Sequence, residues 1–157
     1  MIRLLVLDVD GTMTDGGVYY DATGNEMKKF AIKDGAGLVL ARTAGIRVMI
    51  CTGRECEAVR RRAADLKITD IYQNVPHKAD FLQKFFAENG YAREEIAYCG
   101  DDLNDLAAMA LCGLPGGCRA RSKGPRRLPV SPARRRRCRS RCGRAHPAHR
   151  RPLARCR

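Results

Sequence analysis

The clearest absence in this sequence is of acidic residues near its C-terminal end. All 17 Asp and Glu lie in residues 1–115, together with 14 of the 30 Lys and Arg, so that segment has a net charge of −3. Residues 116–157 hold the other 16 Lys and Arg and contain neither an acid nor an aromatic residue. The overall charge of +13 therefore describes neither segment, and we treat the two separately.

The chain also lacks a long apolar run. No stretch of about 18 consecutive apolar residues is present, so the sequence predicts no transmembrane helix. The first residues enter a predicted strand directly, without the basic, apolar and small-residue pattern of a signal peptide. The eight cysteines show neither zinc-site spacing nor a disulfide pattern. We therefore expect reduced thiols and a cytoplasmic protein.

Residues 1–115 alternate between strand and helix patterns. In chain order these are a strand at 2–9, a hairpin at 18–32, a helix at 34–44, a strand at 46–51, a helix at 55–66, a strand at 70–73, a helix at 78–89, a strand at 96–99 and a helix ending near 113. Asp34 is expected to cap the first helix. This alternation predicts an α/β fold with a doubly wound parallel sheet and a small β-hairpin.

Polar residues gather at the carboxyl ends of three predicted strands. Asp8 and Asp10 follow the first, Thr52 follows the second, and an acidic segment at 101–105 follows the third. Parallel strands bring these ends to one edge of the sheet, where open α/β sheets bind ligands. Several carboxylates that lie close together need a cation, and oxygen ligands with water favour Mg²⁺.

Such an edge can bind and transfer a phosphoryl group. The Thr52 hydroxyl, backbone N–H groups of a strand-to-helix turn and the Lys78 ammonium can hold the non-bridging oxygens. One carboxylate can act as the nucleophile at phosphorus, which forms an aspartyl-phosphate. Another can act as the acid for the leaving alcohol and the base for water.

Four short motifs in this order resemble those of the haloacid dehalogenase superfamily. They are DVDGT at 8–12, CTGR at 51–54, Lys78, and GDDLND at 100–105. Because only a hairpin separates the first motif from the first helix, the chain is similar to the branch that has no cap domain. The resemblance covers residues 1–115 and implies a Rossmann-like phosphatase core that depends on Mg²⁺.

The resemblance also implies roles for individual residues. Asp8 is the expected nucleophile and Asp10 the expected general acid and base. Mg²⁺ is expected to bind the carboxylates of Asp8 and Asp101 and the backbone carbonyl of Asp10. Phosphate and substrate are expected to contact four residues, namely Thr52, Gly53, Lys78 and Asn104.

Three further sets of residues have alternative interpretations. Asp102 and Asp105 either support the metal ligands from outside or are helix-start carboxylates favoured by the helix dipole. The arginines at 60–62 form a solvated helix face or contact the carboxylate of a sugar acid. Tyr19, Tyr20 and the rest of the hairpin pack on their own domain or in a homotetramer, in which the hairpin closes a neighbour's site.

The expected reaction is hydrolysis of a sugar-acid phosphate. The resemblance implies 3-deoxy-D-manno-octulosonate 8-phosphate, of lipopolysaccharide-sugar synthesis, as the substrate. A nine-carbon sialic-type acid 9-phosphate is the alternative substrate. A receiver-type phosphoacceptor domain is disfavoured, because it carries an adjacent acidic pair on its first strand and its phosphoacceptor on a later one.

Residues 116–157 depart from the family pattern. Their arginine- and proline-rich composition cannot bury enough apolar surface to offset chain entropy, so we predict a disordered basic tail. One hypothesis is a reading-frame slip in a GC-rich gene, which leaves the domain incomplete. The alternative is an arm on a catalytically impaired chain that binds nucleic acid non-specifically through phosphates.

Overall fold

The computed structural model describes residues 1–117. Its strands are β1 (Leu4–Leu7), β2 (Tyr19–Tyr20), β3 (Glu26–Met27), β4 (Arg47–Cys51), β5 (Asp70–Tyr72), β6 (Ile96–Cys99) and β7 (Leu114–Gly116). Its α-helices are α1 (Ile32–Thr43), α2 (Glu57–Asp65), α3 (Lys78–Asn89) and α4 (Leu106–Met109). The predictions for the basic tail lie outside the described residues, apart from positions 116 and 117.

Five parallel strands form one sheet in the order β5-β4-β1-β6-β7. The central strand β1 pairs with β4 on one side and with β6 on the other, so that Leu7 lies opposite both Ile50 and Cys99. The sequences of these strands, LLVL, RVMIC and IAYC, are mostly apolar without polar alternation, because both faces of the sheet are covered. The predicted doubly wound parallel sheet is confirmed.

Helices cover both faces of this sheet. On one face, Leu4 and Val6 pack with Leu82, Phe85 and Phe86 of α3. On the other face, the alternate strand positions pack against α1 and α2. The strand residues are Leu7, Val48 and Ile50, and the helix residues are Leu38, Val59 and Ala63. The apolar stripe of α3 is therefore core, as its helical spacing predicts.

In the sequence, a two-stranded antiparallel sheet, β2-β3, comes between β1 and α1. Tyr20 pairs with Glu26 across it. Asp21 shapes its turn, because its carboxylate accepts hydrogen bonds from the backbone N–H groups of Thr23 and Asn25 at 2.8 and 2.9 Å. The predicted small hairpin is confirmed.

Two details of the sequence-based assignment were wrong or incomplete. Helix α1 begins at Ile32 after an N-cap at Ala31, so Asp34 lies in the first helical turn and does not cap the helix. Strand β7 was not predicted, because its three residues include Pro115 and show no strand pattern. Within the described residues, no helix has both the length and the apolar composition needed to cross a membrane.

Candidate active site

The carboxyl ends of three neighbouring strands meet at one edge of the sheet. Asp8 directly follows β1, Thr52 directly follows β4, and Gly100 and Asp101 directly follow β6. The strand ladder continues for one more residue at this point, since the Asp8 backbone N–H donates to the Cys99 carbonyl at 2.9 Å. Backbone hydrogen bonding between the strands therefore continues up to Asp8, the first polar residue of this edge.

A buried lysine joins two of the acidic residues at this edge. Asp8 continues the side of β1 that carries Leu4 and Val6, and this side faces α3. Lys78 is the first residue of α3, and its Nζ donates to Asp8 Oδ1 at 2.6 Å and to Asp105 Oδ1 at 2.7 Å. All three side chains are buried.

The burial and the ion pairs shift the pKa values of both Asp8 and Lys78. Burial raises the pKa of the Asp8 carboxyl, and the hydrogen bond from Lys78 offsets this only in part. For Lys78, burial lowers the pKa, but the hydrogen bonds to Asp105 and Asp8 outweigh it and the net shift is upward. Lys78 is therefore a charged ammonium at neutral pH, and it lies directly beside Asp8.

Asp105 is held by several donors. The Tyr98 hydroxyl donates to Asp105 Oδ1 at 2.6 Å, and the Asp102 backbone N–H donates to Oδ2 at 3.2 Å. With Lys78, these donors occupy both oxygens of a carboxylate that has no exposed surface. The arrangement fixes the Lys78 ammonium, and Tyr98 has a part in it that the sequence analysis did not anticipate.

The carboxylates of Asp8, Asp101 and Asp105 form a cluster whose candidate ligand atoms all lie within 4.8 Å of one another. Three carboxylates are a suitable donor set for a hard divalent cation. Asp101 is oriented by the Thr12 hydroxyl, which donates to its Oδ1 at 3.2 Å. The Asp101 carboxylate also lies against Gly11, where a Cβ would overlap it. The residues present therefore fit a bound Mg²⁺.

Asp10 lies on the hairpin side of the site. Its Oδ1 accepts a hydrogen bond from Lys28 Nζ, and the same ammonium donates to Glu26 Oε1 at 2.8 Å. Lys28 and Glu26 were not predicted as site residues. The two residues are separated by one position, a spacing that places both side chains on the same side of an extended segment. This spacing was the available signal.

The four residues expected to bind phosphate and substrate occupy different environments. Lys78 and Thr52 are buried at the edge of the sheet, whereas Gly53 and Asn104 are exposed. The Asn104 amide donates to Asp102 Oδ2 at 3.2 Å. Asp102 caps the short helical turn that follows it, since its Oδ1 accepts from the Leu103 N–H at 2.6 Å.

Two of the three arginines at 60–62 have partners within their own domain. Arg60 pairs with Glu55 and Glu57 along α2. Arg62 donates to the Ala31 carbonyl at 3.1 Å and lies over the Phe30 ring. The Arg62 contacts join α2 to the start of α1.

The order of these site residues along the chain and the sheet that carries them define a protein class. The chain belongs to the haloacid dehalogenase superfamily. Within it, the chain resembles the 3-deoxy-D-manno-octulosonate 8-phosphate phosphatases. It is 42% identical over 113 residues to the phosphatase KdsC of Escherichia coli K12. The aligned region covers 72% of this chain and 60% of that protein. The Haemophilus influenzae phosphatase KdsC is 38% identical over 112 residues, 71% of this chain and 62% of that protein.

Solved structures give the same relationship. The Moraxella catarrhalis 3-deoxy-D-manno-octulosonate 8-phosphate phosphatase, in complex with magnesium, phosphate and KDO, has a TM-score of 0.68 and 39% identity, covering 71% of this chain and 64% of that one. The cobalt-bound Haemophilus influenzae phosphatase has a TM-score of 0.68 and 38% identity, covering 73% and 67%. No protein-family model matches the chain. The chain spans about 60% of the length of the curated relatives that it matches.

Proposed function

We propose that the chain is a Mg²⁺-dependent phosphatase that converts 3-deoxy-D-manno-octulosonate 8-phosphate to the free sugar acid and phosphate. The observation that carries this proposal is the placement of Asp8. It is buried at the tip of the central strand, paired with Lys78 at 2.6 Å, and clustered with Asp101. A carboxylate in this position faces the site as a nucleophile with a cationic group beside it.

The proposed reaction has two steps. In the first, an Asp8 carboxylate oxygen attacks phosphorus, the phosphorus–oxygen ester bond breaks, and Asp10 gives its proton to the leaving alkoxide. In the second, Asp10 takes a proton from water, whose oxygen attacks phosphorus, and phosphate leaves as Asp8 is regenerated. Lys78 and Thr52 hold the non-bridging oxygens through both steps.

Asp8, Asp101 and the Asp10 backbone carbonyl would hold Mg²⁺. When bound, the ion supplies positive charge that offsets the repulsion between the phosphate and the carboxylate nucleophile. Asp105 is left to orient Lys78, because its two oxygens already accept from Lys78, Tyr98 and the Asp102 N–H. In this proposal, Asp102 and Asp105 do not bind Mg²⁺ and instead support the residues around it.

We also propose a cytoplasmic homotetramer in which the hairpin contributes to subunit contacts. The hairpin exposes several large apolar side chains, with 64% of Tyr20 accessible, and they are Val18, Tyr19, Tyr20 and Met27. Large exposed apolar side chains grouped on one small element are typical of protein–protein contact surfaces. Sedimentation equilibrium of the full chain tests the assembly, and a monomer at micromolar concentration contradicts it.

Phosphate release tests the activity. The full chain is assayed with a panel of eight- and nine-carbon sugar-acid phosphates, with and without Mg²⁺, beside Asp8→Asn and Asp10→Asn. We expect Mg²⁺-dependent turnover, none from Asp8→Asn, and a loss of about 10²- to 10⁴-fold from Asp10→Asn. Circular dichroism of each protein shows that it is folded. Turnover that is independent of Mg²⁺ or unaffected by Asp8→Asn contradicts the proposal.

A further inference from the structure

A lysine on the hairpin makes the direct contact with the side chain proposed as the general acid and base. Lys28 Nζ donates to Asp10 Oδ1 and, at 2.8 Å, to Glu26 Oε1. Only 1% of the Lys28 side chain is exposed, whereas 28% of the Asp10 side chain is exposed. Surface ion pairs contribute little to structure, but this ammonium has left water to lie between two carboxylates.

Glu26 connects the same contact to the loop that follows β4. Its Oε2 accepts a hydrogen bond from Arg54 Nη2 at 2.7 Å, and its backbone carbonyl lies 3.6 Å from the Cys56 thiol, which donates to it. The Cys56 backbone N–H in turn donates to the Gln73 side chain at 2.8 Å. A row of polar contacts therefore runs from Asp10 through Lys28 and Glu26 to the start of α2, and it holds strand β3 in place.

The contact also divides the two oxygens of Asp10. Lys28 occupies Oδ1, and within residues 1–117 no donor reaches Oδ2. A carboxyl group with one oxygen anchored rotates less freely, so its other oxygen is presented in a fixed direction. Proton transfer in a transition state depends strongly on such placement, and a misplacement of about 1 Å can cost about 10²-fold in rate.

We propose that Lys28 is a positioning residue for catalysis, whose ammonium anchors Oδ1 of Asp10 so that Oδ2 meets the oxygen of the leaving alcohol. Glu26 supports this role, because it holds Lys28 from the other side and joins it to Arg54. The hairpin therefore orients the acid of its own subunit. The inference rests on the proposed phosphatase function for the role of Asp10, but not for the contact itself.

The test compares Lys28→Met with Lys29→Met. Methionine keeps the length and apolar stem of lysine and removes its ammonium. Lys29 is the matched control, because it is the next residue on the hairpin, is 75% exposed and lies 3.6 Å from Asp15 on the surface. Single-turnover release of the alcohol is measured with the sugar-acid phosphate and with p-nitrophenyl phosphate, whose leaving group needs no proton.

We expect Lys28→Met to slow release from the sugar-acid phosphate by about 10²-fold and release from p-nitrophenyl phosphate by less than about 3-fold. We expect Lys29→Met to match the wild-type protein with both substrates. A loss in Lys28→Met that is equal for the two substrates indicates a merely structural role and overturns the proposal, as does no loss. If Lys28→Met does not fold, Lys28→Leu, which also lacks a donor, takes its place with the same expected difference.

Hydrogen–deuterium exchange of residues 18–30 follows the contact independently of activity. Lys28→Met should speed exchange in this segment and Lys29→Met should not. Unchanged exchange in Lys28→Met overturns the proposed anchoring even in a protein that turns over. Absence of turnover in the wild-type protein, with faster exchange in Lys28→Met, instead counts against the phosphatase function and supports the anchoring of the hairpin.

Discussion

Lys78 Nζ lies 2.7 Å from Asp105 Oδ1, and the Asp105 side chain has no exposed surface. The same ammonium lies 2.6 Å from Asp8 Oδ1, so one lysine is shared by a carboxylate that ends β1 and one that follows β6. This pairing links the two strand ends through the first residue of α3. One ammonium thus faces two buried carboxylates, so it offsets their charge only in part before any ligand binds.

The Tyr98 hydroxyl is expected to stabilise this arrangement measurably. Tyr98→Phe keeps the ring and leaves Asp105 without one of its donors, so the free energy of unfolding should fall by about 1–3 kcal/mol. Tyr72→Phe is the control, because within residues 1–117 the Tyr72 hydroxyl makes no side-chain hydrogen bond, and its effect should stay within about 0.5 kcal/mol. Urea denaturation measures both, and equal effects would contradict the prediction.

Gly11 is expected to be required for metal binding rather than only for the turn. Gly11 and Gly24 have nearly the same φ, +86° and +87°, but a Cβ at Gly11 would overlap the Asp101 carboxylate and one at Gly24 would meet nothing within 4 Å. Alanine should cost about 1–2 kcal/mol at either site because of the left-handed backbone.

Only Gly11→Ala should also displace Asp101 and remove the effect of Mg²⁺. The wild-type protein and Gly24→Ala should gain stability with Mg²⁺, by about 2.7 kcal/mol at a hundred times the dissociation constant. Thermal denaturation with Mg²⁺ and with EDTA measures this difference. A Mg²⁺ response in Gly11→Ala equal to that of Gly24→Ala would show that Asp101 is not a ligand.

The parts of the fold and site that the sequence predicted are those that have a strong local pattern. Unbroken apolar runs predicted β1, β4 and β6, and the side-by-side order of those strands then brings Asp8, Thr52 and Asp101 to one edge. The bounds of α3 were predicted without error, because its apolar stripe ends at Gly90, which has a φ of +65°.

The parts that were missed depend on contacts between distant segments. Nothing local to Lys28 shows that the strand after the hairpin turn folds back onto Asp10, since this depends on where β3 lies against the β4 loop. Tyr98 occupies an ordinary buried strand position, and only the fold reveals that its hydroxyl meets Asp105. Side-chain pairing across the edge of the sheet therefore needed coordinates.

The hairpin turn is expected to keep the stabilising contribution of Asp21 until the pH falls to about 2. Hydrogen bonds from the Thr23 side chain, and then from Asn25, lower the pKa of the Asp21 carboxyl to about 2. Because this pKa is depressed, the stabilisation of the turn is fully present above pH 3.8 and is lost as pH falls through about 2. The carboxyl ¹³C shift of Asp21 should titrate near that value. Thr23→Val should move the midpoint upward, and a wild-type midpoint near 3.8 would contradict the prediction.

Asp8 is expected to reduce the stability of the metal-free protein. Burial raises the pKa of its carboxyl despite Lys78, so ionising this group costs more free energy in the folded protein than in the unfolded chain. The penalty for ionisation is absent below pH 3.8, where Asp8 is protonated in both states, and it develops as pH rises through the raised pKa. Asp8→Asn stays neutral and offers a similar shape, with an amide oxygen that can accept from Lys78.

In EDTA at pH 7, Asp8→Asn should therefore be more stable than the wild-type protein by roughly 1 kcal/mol. The difference should disappear near pH 3, and Mg²⁺ should reverse it by stabilising only the protein with the charged carboxylate. Denaturation in urea at the two pH values, with and without Mg²⁺, measures all three effects. A less stable Asp8→Asn in EDTA at pH 7 would mean that the ion pair with Lys78 outweighs the burial of the charge.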